Sequence, residues 1–224
     1  MWTMISFLKM TSALLLVLFI VACASANPPA RQAATTVETP RSVSDTTVAG
    51  QNAYTSADIH FMGGMIGHHA QAIVISKWAP THSASQSIQT LASRIINAQQ
   101  DEIASMQKWL RDRKQPVPEV SAHGIMMNMD GMRHEMAMPG MLTDDQMKQL
   151  DAARGKDFDR LFLTFMIQHH RGAVTMVNDL FATTGAAQDI TVYKLASDVF
   201  ADQTTEIDRM QKMLAAMIFE TGGR

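Results

Sequence analysis

Two histidine pairs stand 101 residues apart in this chain, His68-His69 and His169-His170. Met65 lies three and four residues before the first pair, and Met166 lies three and four before the second. Imidazole nitrogen adds affinity for Cu(II), and thioether sulfur is a soft donor suited to Cu(I). A third set of donors is denser still. Met126, Met127, Met129, Met132, Met136, Met138 and Met141 fall within sixteen residues, with His134 among them and His123 just ahead. Methionines of an ordinary core are spread at helical spacing. These crowd a segment broken by Gly124, Gly131, Pro139 and Gly140, so the stretch reads as a Met-rich loop that binds a soft metal. The competing reading is a metal-independent interaction module whose Met-rich surface docks partners by repacking.

The histidines need helices to position them. Residues three and four apart share a helical face, whereas adjacent residues diverge by about 100°. Met62, Met65 and His69 therefore lie on one stripe. The two histidines of a pair cannot point the same way: one is expected to face the partner helix and the other the flank, toward the Met-rich segment. Glu102 and Glu206 read as hydrogen-bond partners for such histidines rather than as metal ligands. Gly63, Gly64 and Gly67 stand inside the first of these helices, each costing about 1 kcal/mol relative to Ala. They imply close helix packing or room kept beside His68 and His69.

The whole arrangement is duplicated. Asp58, Phe61, Met65-Ile66, His68-His69 and Ala72 return at the same spacing as Asp159, Phe162, Met166-Ile167, His169-His170 and Ala173. A second block follows each, Gln99-x-x-Glu102-Ile103-x-x-Met106-Gln107-Lys108 and Gln203-x-x-Glu206-Ile207-x-x-Met210-Gln211-Lys212. Two matched blocks in one order are a repeated helix pair. The apolar spacing and the prolines predict long helices near Asp58–Trp78, Ala84–Arg113, Asp157–Phe181 and Ala187–Ile218. Thr143-Asp-Asp-Gln146 has the form of a capping box and opens a short helix before Gly155. No strand pattern is convincing, and Trp78 and Trp109 are expected to cap the ends of the core. The expected fold is all-α, an antiparallel four-helix bundle of two repeated helix pairs with the Met-rich loop between them.

The N-terminus reads as an export signal over residues 1–22. Lys9 precedes an apolar run, Met10 to Ala22, that is short for a membrane span. Ile20-Val21-Ala22-Cys23 has the form of a lipobox, which would leave Cys23 acylated; the alternative is ordinary cleavage after Ala26. Residues 23–53 read as a flexible tether rich in Ala, Thr, Pro and Ser, and 54–219 as one folded domain. Attachment to a membrane would then be by lipid anchor only, in the periplasm or cell envelope. Cys23 is the one cysteine of the chain, so soft-metal binding outside the cytoplasm must fall to methionine. With a formal charge of −2 and no basic cluster, nothing points to nucleic acid.

At the residues Phe165-Met166-Ile167-Gln168-His169-His170 with Ala173 and Met176, and Met65-Ile66-Gly67-His68-His69 with Ala72, the chain resembles the exported bacterial family known as domain of unknown function 305. The resemblance covers nearly all of Ala57 to Met217. It implies a ferritin-like helical bundle and a copper-binding protein linked to copper tolerance, with His68, His69, His169, His170, Met65, Met166 and Met176 as ligands. The first half departs from the pattern at Ile75, opposite Met176.

Three functions follow for weighing. The leading one is capture of copper outside the cytoplasm, Cu(I) by Met and Cu(II) by His, to sequester it, buffer it or hand it to a copper exporter, an oxidase or another copper acceptor. Silver, Ag(I), should compete for the Met sites. The second is the metal-free docking module. The third is a di-iron enzyme, for which the Glu-x-x-His motif is missing: Ser105 and Arg209 stand three residues after Glu102 and Glu206. No enzymatic activity is expected.

Overall fold

The computed structural model of the protein describes residues 54–121, 124–129, 132–136 and 138–222. The export signal, Cys23, the tether and His123 lie outside the described residues. Two long helices open the fold, α1 (Ser56–Ser76) and α2 (Gln86–Asp112), followed by three short strands, β1 (Glu119–Ser121), β2 (Gly124–Met129) and β3 (Met132–Met136). A short helix α3 (Asp144–Ala152) leads into the second long pair, α4 (Gly155–Ala182) and α5 (Ile190–Gly222).

The helix starts follow local chemistry. Thr55 caps α1 by a reciprocal capping box with Asp58, and Thr143 caps α3 in the same way with Gln146. Each box satisfies backbone N–H groups that have no partner inside the first turn. The expected helix boundaries hold to within a few residues.

Two buried apolar clusters show how the helices run. Phe61, Met62 and Met65 early in α1 pack with Met106, Trp109 and Leu110 late in α2, and with Ala173, Met176, Val177 and Leu180 late in α4. Ile75 late in α1 packs with Ile88, Leu91 and Ile95 early in α2, and with Phe158, Phe162 and Met166 early in α4. Each pair is therefore antiparallel, and the pairs meet through α1 and α4, which also run antiparallel. Trp109 lies at one end with Tyr54 and Arg113 around it. Trp78 lies at the other, its ring stacked 5.7 Å from His82.

Both copies of the repeated aspartate tie the pairs together. Asp58 accepts the backbone N–H of Ala187, just before α5, at 2.7 Å. Asp159 accepts the N–H of Ser85, just before α2, at 3.1 and 3.2 Å. The sequence marks these aspartates as repeated; the structure gives the reason.

The Met-rich stretch differs from the loop expected of it. Its backbone forms an antiparallel three-stranded sheet in the order β1-β2-β3, set against α1. Met127 pairs with His134 and Met129 with Met132 across β2 and β3. Period-2 alternation is hidden because Met occupies consecutive as well as alternate positions, leaving no apolar–polar rhythm to read.

Candidate metal centre

Helix α1 carries His68 and His69 to the middle of the molecule, and α4 carries His169 and His170 to meet them. All four are fully buried. The inner member of each pair turns toward the other pair: the His68 and His169 rings approach to 3.8 Å between centroids, tilted by 39°. The other member turns to its own partner helix. His69 Nε2 lies 2.7 Å from Glu102 Oε2, and His170 Nε2 lies 2.7 Å from Glu206 Oε2. The His170 contact is a hydrogen bond, while the His69 contact has the distance without the direction. The divergence of adjacent residues on a helix thus plays out twice, in register; Glu206 is the hydrogen-bond partner expected of it, whereas Glu102 stands at contact distance from His69 without that bond.

The nitrogens that remain decide the chemistry. His68 Nε2–H donates to the backbone oxygen of Pro139 at 3.0 Å, which leaves the lone pair on Nδ1. His170 likewise directs Nε2–H at Glu206 Oε2, with Nδ1 on the other side of the ring. A histidine held through one nitrogen by an oxygen acceptor presents the other to a metal. Nδ1 has no hydrogen-bond partner in any of the four, and neither ring nitrogen of His169 has one. A buried polar group left unpaired costs about 1–3 kcal/mol, so this cluster is expensive unless something satisfies it.

Burial also fixes the charge. The His68 pKa is pushed down to about 3, chiefly by desolvation and then by the neighbouring His69, against a smaller upward pull from the Pro139 carbonyl. His169 falls well below 6.5, first by burial and then by His68; a weak approach to the His68 carbonyl opposes this without hydrogen-bond geometry. At neutral pH both are uncharged imidazoles, the form that ligates metals.

Buried thioethers fall in both core clusters. Met62, Met65, Met106, Met138, Met141 and Met176 belong to one core cluster, while Met166 and Met210 belong to the other. Met65 and Met166 are each one turn before their histidines and lie in different apolar clusters. Met138 and Met176 converge beside Gly64: a Cβ there would stand 3.0 Å from Met138 Sδ and 3.3 Å from Met176 Cε. Gly64 is therefore room kept for sulfur. Met126, Met127, Met129, Met132, Met136 and His134 stand on β2 and β3, and His123 is outside the described residues.

Sequence reasoning missed the piece of chain that closes the site. Met138 to Leu142 crosses between α1 and α4 as a strap. Gly172 admits it, since a Cβ there would stand 1.8 Å from Pro139 O and 2.5 Å from Pro139 C. Gln71, the counterpart of Gly172 in the repeat, clamps it: Gln71 Nε2 donates to Leu142 O at 3.1 Å, and Leu142 N–H donates to Gln71 Oε1 at 2.7 Å. The mismatch Gln71/Gly172 was the available signal, a break in an otherwise faithful repeat. Among the described residues, no three His, Cys, Asp or Glu side chains converge as a metal site. The donors present are paired buried imidazoles on helices that also carry buried thioethers, types that suit copper better than harder ions.

Solved structures share this frame. A DUF305 protein of Streptomyces coelicolor, named as a secreted protein, is 31% identical, with a TM-score of 0.60 over 72% of this chain and 94% of that one. CopM in its Cu(I)-bound form is 28% identical, TM-score 0.53, and in its Cu(II)-bound form 29%, TM-score 0.54; each match covers 71% of this chain and 96% of CopM. CopM is also known in an Ag-bound form. Among sequences, a 57-residue stretch is 42% identical to uncharacterized protein L153 of Acanthamoeba polyphaga mimivirus, covering 25% of this chain and 38% of that protein. The family described as Domain of unknown function (DUF305) matches residues 58–214, the whole span that carries both histidine pairs and both glutamates, and the chain belongs to that family.

Proposed function

We infer that this protein is an exported copper-binding protein, taking Cu(II) or Cu(I) at the buried histidines and Cu(I) at thioethers, and so sequestering, buffering or delivering copper. The observation that carries the reading is the set of four buried imidazoles whose Nδ1 atoms have no hydrogen-bond partner, with carboxylate or carbonyl oxygens beside Nε2 in three of them. The copper- and silver-bound forms of CopM support the choice of metal. His68, His69, His169 and His170 form the centre, with Met65 and Met166 one turn before them on α1 and α4. Met141 and the strand methionines Met126, Met127, Met129, Met132 and Met136, with His134, are further Cu(I) donors.

On the same reading, the two helix pairs form a ferritin-like four-helix bundle. The protein binds and does not catalyse, because Glu102 and Glu206 are committed to histidines. The secreted designation of the Streptomyces coelicolor relative supports export, with Cys23 the lipid-anchoring residue and a copper exporter, oxidase or other copper acceptor as the receiving partner.

Anaerobic competition of the purified chain against a colorimetric Cu(I) chelator tests this, run beside a variant with all four histidines replaced by Ala and followed by a Cu(II) titration of both. The expected result is tight binding by the parent and loss of the Cu(II) site in the variant. If neither oxidation state binds the parent, the reading fails.

A further inference from the structure

The duplicated plan is broken at one end of the molecule. Shifting by 101 residues, Ala57, His60 and Gly64 of α1 correspond to Phe158, Leu161 and Phe165 of α4. Met176 and Asp179 of α4 likewise correspond to Ile75 and Trp78. At the end built from the second members, Phe158, Leu161, Phe165 and Ile75 fill one apolar cluster, with Trp78 packed against it. At the opposite end, the first members surround a cavity of about 200 Å³, lined in part by Ala57, His60, Met138, Met176 and Asp179. Where one copy of the plan packs four large apolar side chains, the other keeps space, an imidazole and two thioethers.

The cavity is graded from water inward. His60 is exposed, while Met138 and Met176 are 6% and 8% exposed. Both thioethers end above Gly64, one turn before His68. His60, Gly64 and His68 stand four residues apart along a single helical stripe. Imidazole nitrogen and thioether sulfur suit Cu(I) or Ag(I), and sulfur takes either without losing a proton. Hard cations such as Mg²⁺ or Ca²⁺ would prefer oxygen donors, of which this cavity offers chiefly the Asp179 carboxylate at its rim.

We propose that His60, Met138 and Met176 form a second, solvent-facing soft-cation site that binds Cu(I) or Ag(I) and loads the buried histidine centre. The site stands on its own geometry; the loading role rests on copper binding at the buried histidines.

The test uses the full chain, labelled with ¹³C at the methionine methyl groups and titrated with Ag(I). The methyl signals of Met138 and Met176 should shift together in one step. His60→Ala and Met138→Leu should each weaken that step about tenfold or more, since losing even an outer-shell partner costs 10–100-fold. A His68→Ala/His169→Ala variant should keep the step. His60 is exposed, so its replacement leaves the core intact. If both methyl signals stay fixed through saturation, or neither variant changes the step, the site is overturned even where the buried histidines still bind copper. If the parent shows this step but takes no copper at the buried histidines, the copper reading of the histidines falls and the loading role with it, while the His60–Met138–Met176 site stands. Loading is read by stopped flow with Cu(I): His60→Ala should slow filling of the buried centre without changing its equilibrium affinity, and equal rates would overturn that role.

Discussion

Replacing Gly172 by Ala sets two effects of opposite sign against each other. In an ordinary helix interior the change stabilises by about 1 kcal/mol. Here the new Cβ would lie 1.8 Å from Pro139 O, 2.5 Å from Pro139 C and 2.7 Å from Gly140 Cα. These are backbone atoms and cannot swing aside as a side chain would. Bringing the shortest contact out to 3.0 Å requires the strap or the helix to move by about 1.2 Å. That displacement removes Pro139 O from His68 Nε2, now 3.0 Å away, and strains the Gln168–Gly140 bond at 3.3 Å. A buried imidazole N–H left unpaired costs about 1–3 kcal/mol and the second bond about 1 more. After the helix-propensity gain is subtracted, the expected outcome is net destabilisation by about 1–3 kcal/mol, opposite in sign to what helix propensity alone predicts. Urea unfolding of the metal-free protein should show a lower midpoint at unchanged slope. Hydrogen exchange should show reduced protection of the Leu142 amide. An unchanged or raised midpoint would refute the strap as a tight structural element and the reason given for Gly172.

Other perturbations probe the centre and its frame. His68 and His169 are neutral when folded, with His68 held to about 3, but titrate near 6.5 when unfolded. The unfolded chain therefore binds more protons, and metal-free stability should be complete above about pH 6.5 and fall as pH drops toward 3, by up to about 1.4 kcal/mol per unit for each group; denaturant midpoints that stay flat from pH 7 to 4.5 would contradict this. Glu102→Gln and Glu206→Gln should weaken copper binding by about 10–100-fold with stoichiometry retained, because they orient His69 and His170; affinities equal to the parent's would remove the glutamates from the site. Asp58→Ala gives up contacts to Thr55 and to the Ala187 N–H and should cost about 2–4 kcal/mol in thermal or urea unfolding. Gln71→Ala frees both backbone groups of Leu142 and should destabilise by about 1–3 kcal/mol, which a Gln71→Glu variant should only half restore, since a carboxylate accepts but cannot donate.

Much of the frame is legible in the chain because it rests on local rules. The helices follow from apolar spacing, Thr55 and Thr143 announce their own caps, and the repeat of Asp58 through Ala72 at Asp159 through Ala173 requires two equivalent helix pairs. The divergence of His68 from His69, and the turn of His69 and His170 toward Glu102 and Glu206, follow from 100° per residue and from the repeated Gln-x-x-Glu-Ile-x-x-Met block. The donor types alone, imidazole and thioether with Cys23 the lone cysteine, point to a soft metal.

Only the folded molecule decides how the two copies differ. Gln71 reaches Leu142, and His68 reaches Pro139, across 71 residues of chain, a separation that no window of sequence scores. The strands of the Met-rich segment are set by pairing between backbones, which composition does not encode. Gly64 reads as a costly residue in a helix until Met138 and Met176 are seen to occupy the space above it. His60 reads as an ordinary surface histidine until its counterpart is found to be a core leucine, Leu161. Local periodicity fixes which face of a helix a residue takes; what that face meets depends on the packing of distant segments, and here that packing turns two like helix pairs into one unequal site.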